Sequence, residues 1–243
     1  MSAPKGPASI SNLRLPSPSL IVGDSMRDST GTLAPLTITA FDATGNPAVA
    51  PGAQFFITDT TKAATLGLNN LLIGNRLGST IIIGQLGTLQ TSPVTLPVTN
   101  RPAQLVKVSP DSLLVVPFPS AADTTLNGVS VVSLNVLSAE DSASQGIIVR
   151  YTLARTLSPK NASRAAVIIA DASNNPGSVD TSTASGSSSR HIVVFSGLLG
   201  DAALLGGTKI DTIIVEARAS YSKAELRNSP ITFTIPVKVS PPK

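Results

Sequence analysis

At 243 residues the chain is long for one β-sandwich of about 100 residues and comfortable for two. It has no cysteine, which excludes disulfides, thiolate metal sites and a cysteine nucleophile. Its formal charge of +4 is spread over Lys and Arg that never cluster, so nucleic acid is not an expected partner, and no run supplies the roughly 18 uninterrupted apolar residues of a membrane-spanning helix, so neither is a membrane.

Aromatic residues make up 3% of the chain and Trp is absent, while Val, Ile, Leu, Ser and Thr abound. That composition suits pleated, half-buried strands, and the expected fold class is all-β. Met1 is followed by Ser-Ala-Pro-Lys-Gly-Pro, with neither a charged n-region nor an apolar h-region, so no signal peptide is expected in the chain as given. Pro, Gly and Ser make residues 1–9 an expected flexible N-terminal arm.

Leu20-Ile21-Val22 gives a first short strand, and residues 23–33 form a polar turn region with Asp24, Asp28 and Gly31. Leu36 to Phe41 alternates cleanly and runs into Asp42-Ala43-Thr44-Gly45-Asn46-Pro47, a turn in which Gly and Asn take positive φ and Pro stops the ladder. Further strands are expected at 54–58, within 79–84 after a glycine turn, and at 94–99. The strand ending Phe41-Asp42-Ala43-Thr44-Gly45, then Gly78-Ser79-Thr80-Ile81-Ile82, a small turn and Val94 to Val98 together resemble the shorter kind of bacterial Ig-like repeat. The resemblance implies an immunoglobulin-like β-sandwich over residues 10–100.

Asn100-Arg101-Pro102 reads as a short, stiff junction, and Pro102-Ala103 echoes Pro7-Ala8 at the head of the first unit. Strands follow at 105–108, 113–116, 129–137 and 146–153, then a Ser/Thr/Asn-rich loop at 171–189, then a strand at 191–195. Three stretches of this half resemble the invasin- and intimin-type bacterial Ig-like repeat: Ile147 to Tyr151, Asp180-Thr181 through Ser185 to Arg190, and Asp211 to Ala217. The resemblance implies a second Ig-like sandwich over residues 101–243, whose loop is longer and richer in Ser than the family's.

The clearest pattern is the last. Ile213, Val215, Ala217, Ala219 and Tyr221 share one side of a strand, and Ile231, Phe233, Ile235, Val237 and Val239 share one side of the next. Thr232, Thr234 and Lys238 face the other way, and the polar stretch 222–229 lies between, so 208–239 reads as an antiparallel hairpin closing a sandwich. Its second strand has a near-copy upstream: Ser92-Pro93-Val94-Thr95-Leu96 matches Ser229-Pro230-Ile231-Thr232-Phe233, and each run continues through a Pro to a Val.

Reactive constellations are scarce. His191 is the one histidine and reads as an exposed strand residue, since a triad around it would need a carboxylate and a nucleophile delivered by folding. Asp171 to Gly177 has oxygen ligands at first, third and fifth positions as in a calcium loop, yet Pro176 stands where the EF-hand glycine belongs and Ser182 where its glutamate does, so a solvated turn is expected. Asn161-Ala162-Ser163 matches a glycosylation sequon, Lys107, Lys209 and Lys238 are candidates for isopeptide cross-links or plain edge protection, and Gly74 and Gly78 lack the setting of a phosphate loop. No catalytic residue, metal ligand or cofactor site is expected.

The expected role is therefore non-enzymatic: a structural component of an extracellular assembly, either a virion part (phage capsid decoration, tail or fibre) or a filament protein. Its partners would be protein subunits of the same assembly, as a homo-oligomer. The alternative is a bacterial cell-surface adhesin or spacer that binds a host receptor or glycan. A carbohydrate-binding accessory module is weaker, because sugar rings stack on aromatics and only Tyr151, Tyr221 and six Phe are present.

Overall fold

A computed structural model of the chain describes residues 7–119 and 127–240. They form two compact units, the first made of residues 7–102, 138–147 and 221–224, the second of 103–119, 127–137, 148–220 and 225–240. Residues 1–6 of the expected arm lie outside the described residues. At the arm's far end Ser9 already opens a strand, and the Ala8 amide donates to the Phe41 carbonyl at 2.8 Å.

The first unit holds β1 (Ser9–Arg14), β2 (Leu20–Ile21), β3 (Thr37–Phe41), β4 (Pro47–Ala48), β5 (Gln54–Ile57), β6 (Ala64–Leu66), β7 (Leu72–Gly74), β8 (Gly78–Leu86), β9 (Leu89–Gln90) and β10 (Val94–Thr99). One sheet runs β1-β3-β4, a second runs β2-β10-β8-β5 with β9 on β8, and β6 and β7 form a separate ribbon. Alternation dictates the packing: in β8 the side chains of Thr80 and Ile82 point inward, in β10 Leu96 and Val98 do, and they meet Leu13, Leu36 and Phe55 in one core.

The second unit holds β11 (Gln104–Lys107), β12 (Leu114–Val116), β13 (Asn127–Leu137), β14 (Ile148–Arg155), β15 (Val167–Ala170), β16 (Val179–Thr181), β17 (Ser187–Phe195), the single-turn helix α1 (Ala202–Leu205), β18 (Asp211–Tyr221), β19 (Ala224–Glu225) and β20 (Ile231–Val239). Strand order is β11-β13-β17-β15 in one sheet and β12-β20-β18-β14-β16 in the other. Two sheets in this order, antiparallel except where β12 runs parallel to β20, with β11 on one and β12 on the other, are the arrangement of an immunoglobulin-like sandwich. The terminal hairpin pairs Asp211 with Val237 through to Ala217 with Ile231, and Ile231, Phe233, Ile235, Val237 and Val239 are all buried.

The sequence echoes occupy matching places. β10 and β20 are each the last long strand of their unit, antiparallel to β8 and β18 respectively and parallel to a short early strand, with Val98 beside Leu20 and Val237 beside Leu114. Ala103 repeats the contact of Ala8, its amide donating at 2.8 Å to the carbonyl of Leu137, the end of β13, as Ala8 does to the end of β3.

One turn recurs through both units, at 28–32, 42–46, 138–142, 171–175 and 183–187. In each the first amide donates to the fifth carbonyl and the fourth amide to the first carbonyl. The fourth residue has positive φ and is Gly31, Gly45, Asp141, Asn174 or Gly186. This is a type I turn closed by a left-handed bulge residue, and Gly, Asn and Asp are the residues that tolerate it. In four of the turns a side-chain oxygen of Asp28, Asp42, Ser138 or Asp171 also accepts the third and fifth amides.

The span 171–189 is not one loop: β16 crosses it and β17 begins at Ser187. Val179 points outward at 41% exposure, so β16 shows no apolar alternation in sequence; the Ile148–Thr181 to Arg150–Val179 register against β14 makes it a strand. The helix α1 also lay outside the sequence reading, held by Asp201, whose side chain accepts the Ala203 and Leu204 amides at 2.9 and 3.2 Å.

Candidate functional site

The most connected polar group in the first unit is Asp24, with only 12% of its side chain exposed. Arg27 grips it with two nitrogens, Nε to Oδ2 at 3.1 Å and Nη2 to Oδ1 at 3.2 Å, and donates its Nη1 to the Gly31 carbonyl at 3.0 Å. The Tyr221 hydroxyl donates to Oδ2 at 2.5 Å, and the Arg101 guanidinium lies 3.7 Å from Oδ2 and 5.6 Å from the centre of the Tyr221 ring. Burial pushes the Asp24 carboxyl up, but the hydrogen bonds from Arg27, Tyr221 and the Ser25 amide outweigh it and hold it below its ordinary value. Burial first, and then the bond to Asp24, raise the Tyr221 hydroxyl. A carboxylate held ionised by a bidentate Arg fixes geometry and offers no proton at neutral pH.

The second unit has a comparable relay. The Tyr151 hydroxyl, on a fully buried ring in β14, lies 2.9 Å from the Ser188 hydroxyl, which donates at 2.8 Å to Asp180 Oδ2 in β16. The same oxygen accepts the Ser189 amide at 2.8 Å, and Arg190 bridges back to Asp180 and to the Val179 carbonyl. Burial pushes the Tyr151 hydroxyl up to about 12. Ser188 is 2% exposed and its neighbours are a phenol and a carboxylate, so a substrate has no path to it; the relay ties β14, β16 and β17 across the two sheets.

Asp59 does the same work in the first unit, accepting Thr61 on Oδ1 and, on Oδ2, the Thr80 hydroxyl at 2.6 Å and the Ile81 amide at 2.9 Å. The Thr61 hydroxyl first, then Thr80 and the Ile81 amide, bring its carboxyl far below the usual range.

These carboxylates set an acid limit. Asp24, Asp28, Asp42, Asp59, Asp111 and Asp171 are all depressed in the folded chain, so each contributes stability that is complete above its unfolded value near 3.8 and is lost as pH falls through the folded one. The thermal midpoint is expected to be level from about pH 7 to 5 and to fall below about pH 4; a calorimetric pH series checks it, and a midpoint that rises on acidification contradicts it.

His191 sits in β17 opposite Val131, its Nδ1 3.1 Å from Asn174 Oδ1, and no carboxylate or hydroxyl completes a triad with it among the described residues. Asp171 spends one oxygen on the Ser173 and Asn175 amides and the other on the Asn175 side chain at 3.2 Å. Asn161 Oδ1 accepts the Ser163 amide and hydroxyl, both at 3.0 Å, in an exposed turn. Lys209 pairs with Asp201 at 2.6 Å and Asp211 at 3.5 Å, and Lys238 lies opposite Val115.

Lys107 has a role that spacing did not reveal. β12 covers only the far end of β20, and over the near half Lys107 and Asp111 stand in for a strand. Asp111 Oδ1 accepts the Thr234 amide at 2.8 Å, Lys107 Nζ donates to the Thr232 carbonyl at 2.9 Å, and the two side chains pair at 2.6 Å. The ammonium also lies 5.0 Å from the centre of the Phe233 ring.

A cavity of about 370 Å³ opens in the first unit beside β3, lined by Leu36, Thr37, Ile38, Phe55, Asn69 and Asn70 among others. Its polar lining is hydroxyl and carboxamide, groups that hold a ligand without reacting with it. Among the described residues no group of three or more His, Asp or Glu gathers as a metal site, and no helix is long and apolar enough to cross a membrane.

No family model and no curated protein matches the chain. Among solved structures it is similar to the adhesin InvE of Yersinia pseudotuberculosis, at 12% identity and a TM-score of 0.36, over 98% of this chain and 61% of that one. It is also similar to domains 1–6 of the surface-layer protein SbsC, at 11% identity and 0.35, over 98% and 29%. A third is mouse protocadherin-24 EC1-3, at 14% and 0.32, over 96% and 67%. The chain thus spans less than two thirds of these two bacterial structures, and likenesses at these scores carry no weight for a role.

Proposed function

We infer that the chain is a non-enzymatic structural module of an extracellular assembly, a virion component such as a phage capsid decoration, tail or fibre protein, or a filament subunit. Its partners are other subunits of that assembly, copies of itself among them. The observation that carries this reading is how each unit's outer strands are paired. β2 runs parallel to β10 and β12 parallel to β20, so in each unit an entering strand lies along the leaving one. Tension on the two ends of such a pair slides one strand past the other and loads its ladder bonds together. Lys107 and Asp111 extend the hold along β20 beyond the three residue pairs of β12. The resemblance of both halves to bacterial Ig-like repeats supports the same reading.

The test is imaging of native particles labelled with antibody against the chain. Regularly spaced label on a capsid, tail or filament is the expected result. Label confined to bacterial cell envelopes, with the purified chain binding host cells or glycans, favours the adhesin or spacer instead.

A further inference from the structure

One stretch of sheet edge in the second unit has no neighbour among the described residues. β11 covers β13 from Leu134 to Leu137, and Val108 and Ser109 complete that contact at Ser133. The chain then crosses to the other sheet as β12, while β13 extends back to Asn127, paired there with β17. Ser133 turns its N–H and C=O toward the β11 side, so by the alternation of a strand Val131 and Val129 do too. Among the described residues no backbone group meets them. Their side chains are 48% and 38% exposed, and no charged residue lies between Asn127 and Ser133.

Three other edges of this unit carry partial cover among the described residues. Arg227 bonds along β11, Gly177 donates to Ile169 beside β15, and Lys107 with Asp111 covers β20. A bare, uncharged, β-branched edge is what folded proteins otherwise guard against.

The geometry points to this edge as a pairing surface for a second copy of the chain, β13 against β13, antiparallel about a two-fold axis at Ser130. It rests on the reading that copies of the chain are partners. The edge is self-complementary in that register. Val129 of one copy faces Val131 of the other, these are the residues whose N–H and C=O face outward, and each pair exchanges both bonds. All the exposed valines then gather on one face as β-branched cross-strand pairs. In this register Asn127 falls against Ser133, whose groups are already taken, so the ladder consists of the two valine pairs; moving the axis to Val131 would set Val129 itself against Ser133 and lose them. A contact this short is weak alone and gains strength from repetition in an array.

The test is sedimentation of the full chain over a concentration series, with Val131→Lys and Val129→Lys beside it, and amide exchange read by residue. The expected result is a shift from 24.8 kDa toward twice that mass, with Val129 and Val131 amides slowing as concentration rises while Val132 does not. Each lysine variant should need at least ~10-fold more protein to associate, at an unchanged melting midpoint, since an outward side chain contributes little to folding. Wild type that keeps its single-chain mass, without that protection, overturns the pairing and leaves the assembly role to the particle images. Association undiminished by both lysines overturns β13 as the surface while sparing the role.

Discussion

Replacing Phe233 with Ala is expected to destabilise the second unit by about 3–5 kcal/mol. Its ring is 1% exposed in the middle of β20, across the sheet from Val215, and the strand's inward residues leave no slack to refill the space. The ring also lies under the Lys107 ammonium, so truncation loosens the side chain that occupies the β20 edge. Urea unfolding of wild type and variant checks the value. A loss below ~1 kcal/mol would mean that the ring is not part of the core.

Asp24→Ala is the second large effect, at about 2–4 kcal/mol. The variant removes the carboxylate partner of the Arg27 guanidinium and leaves the Tyr221 hydroxyl and the Ser25 amide without that acceptor in a half-buried site. Tyr221→Phe alone removes one bond and should cost about 1 kcal/mol. The double variant decides whether the pair acts as a unit: a combined loss well short of the sum signals coupling, and strict additivity would show that the Tyr221 hydroxyl is not coupled to Asp24.

How far these features could be read in advance depends on their range along the chain. β20 was visible because burial on one face and solvent on the other leave a period of two, and Ile231 to Val239 follow it without a break. The match between Ser92-Pro93 and Ser229-Pro230 marked equivalent strands for the same reason, since each heads a strand held between two partners. β16 was hidden because Val179 faces water and Asp180 serves the Tyr151 relay, so neither advertises a core. The Asp24–Tyr221 bond joins residues 197 apart, and no local pattern encodes it. The turn at Asp171 was legible as a turn from its Asn and Gly content, whereas the partner of His191, Asn174, is set by how that turn folds over β17. Lys107 and Asp111 looked like ordinary surface charges, and only the crossing from β11 to β12 shows which backbone groups they satisfy.

The first unit draws on three separated stretches, the last of them ending at Ala224. A ribosome that has released residue 102 has therefore not yet supplied everything that unit contains, and at ~5–20 residues per second the missing pieces arrive on the order of 10 s later. During that interval Asp24 waits for Tyr221, and Gly31 for the Ser222–Lys223 backbone that will lie against it. The apolar core of that unit, Leu13 to Val98, is already complete in the emerged chain, so what translation of the carboxy-terminal part adds is the polar anchor of Asp24 and the cover over Gly31.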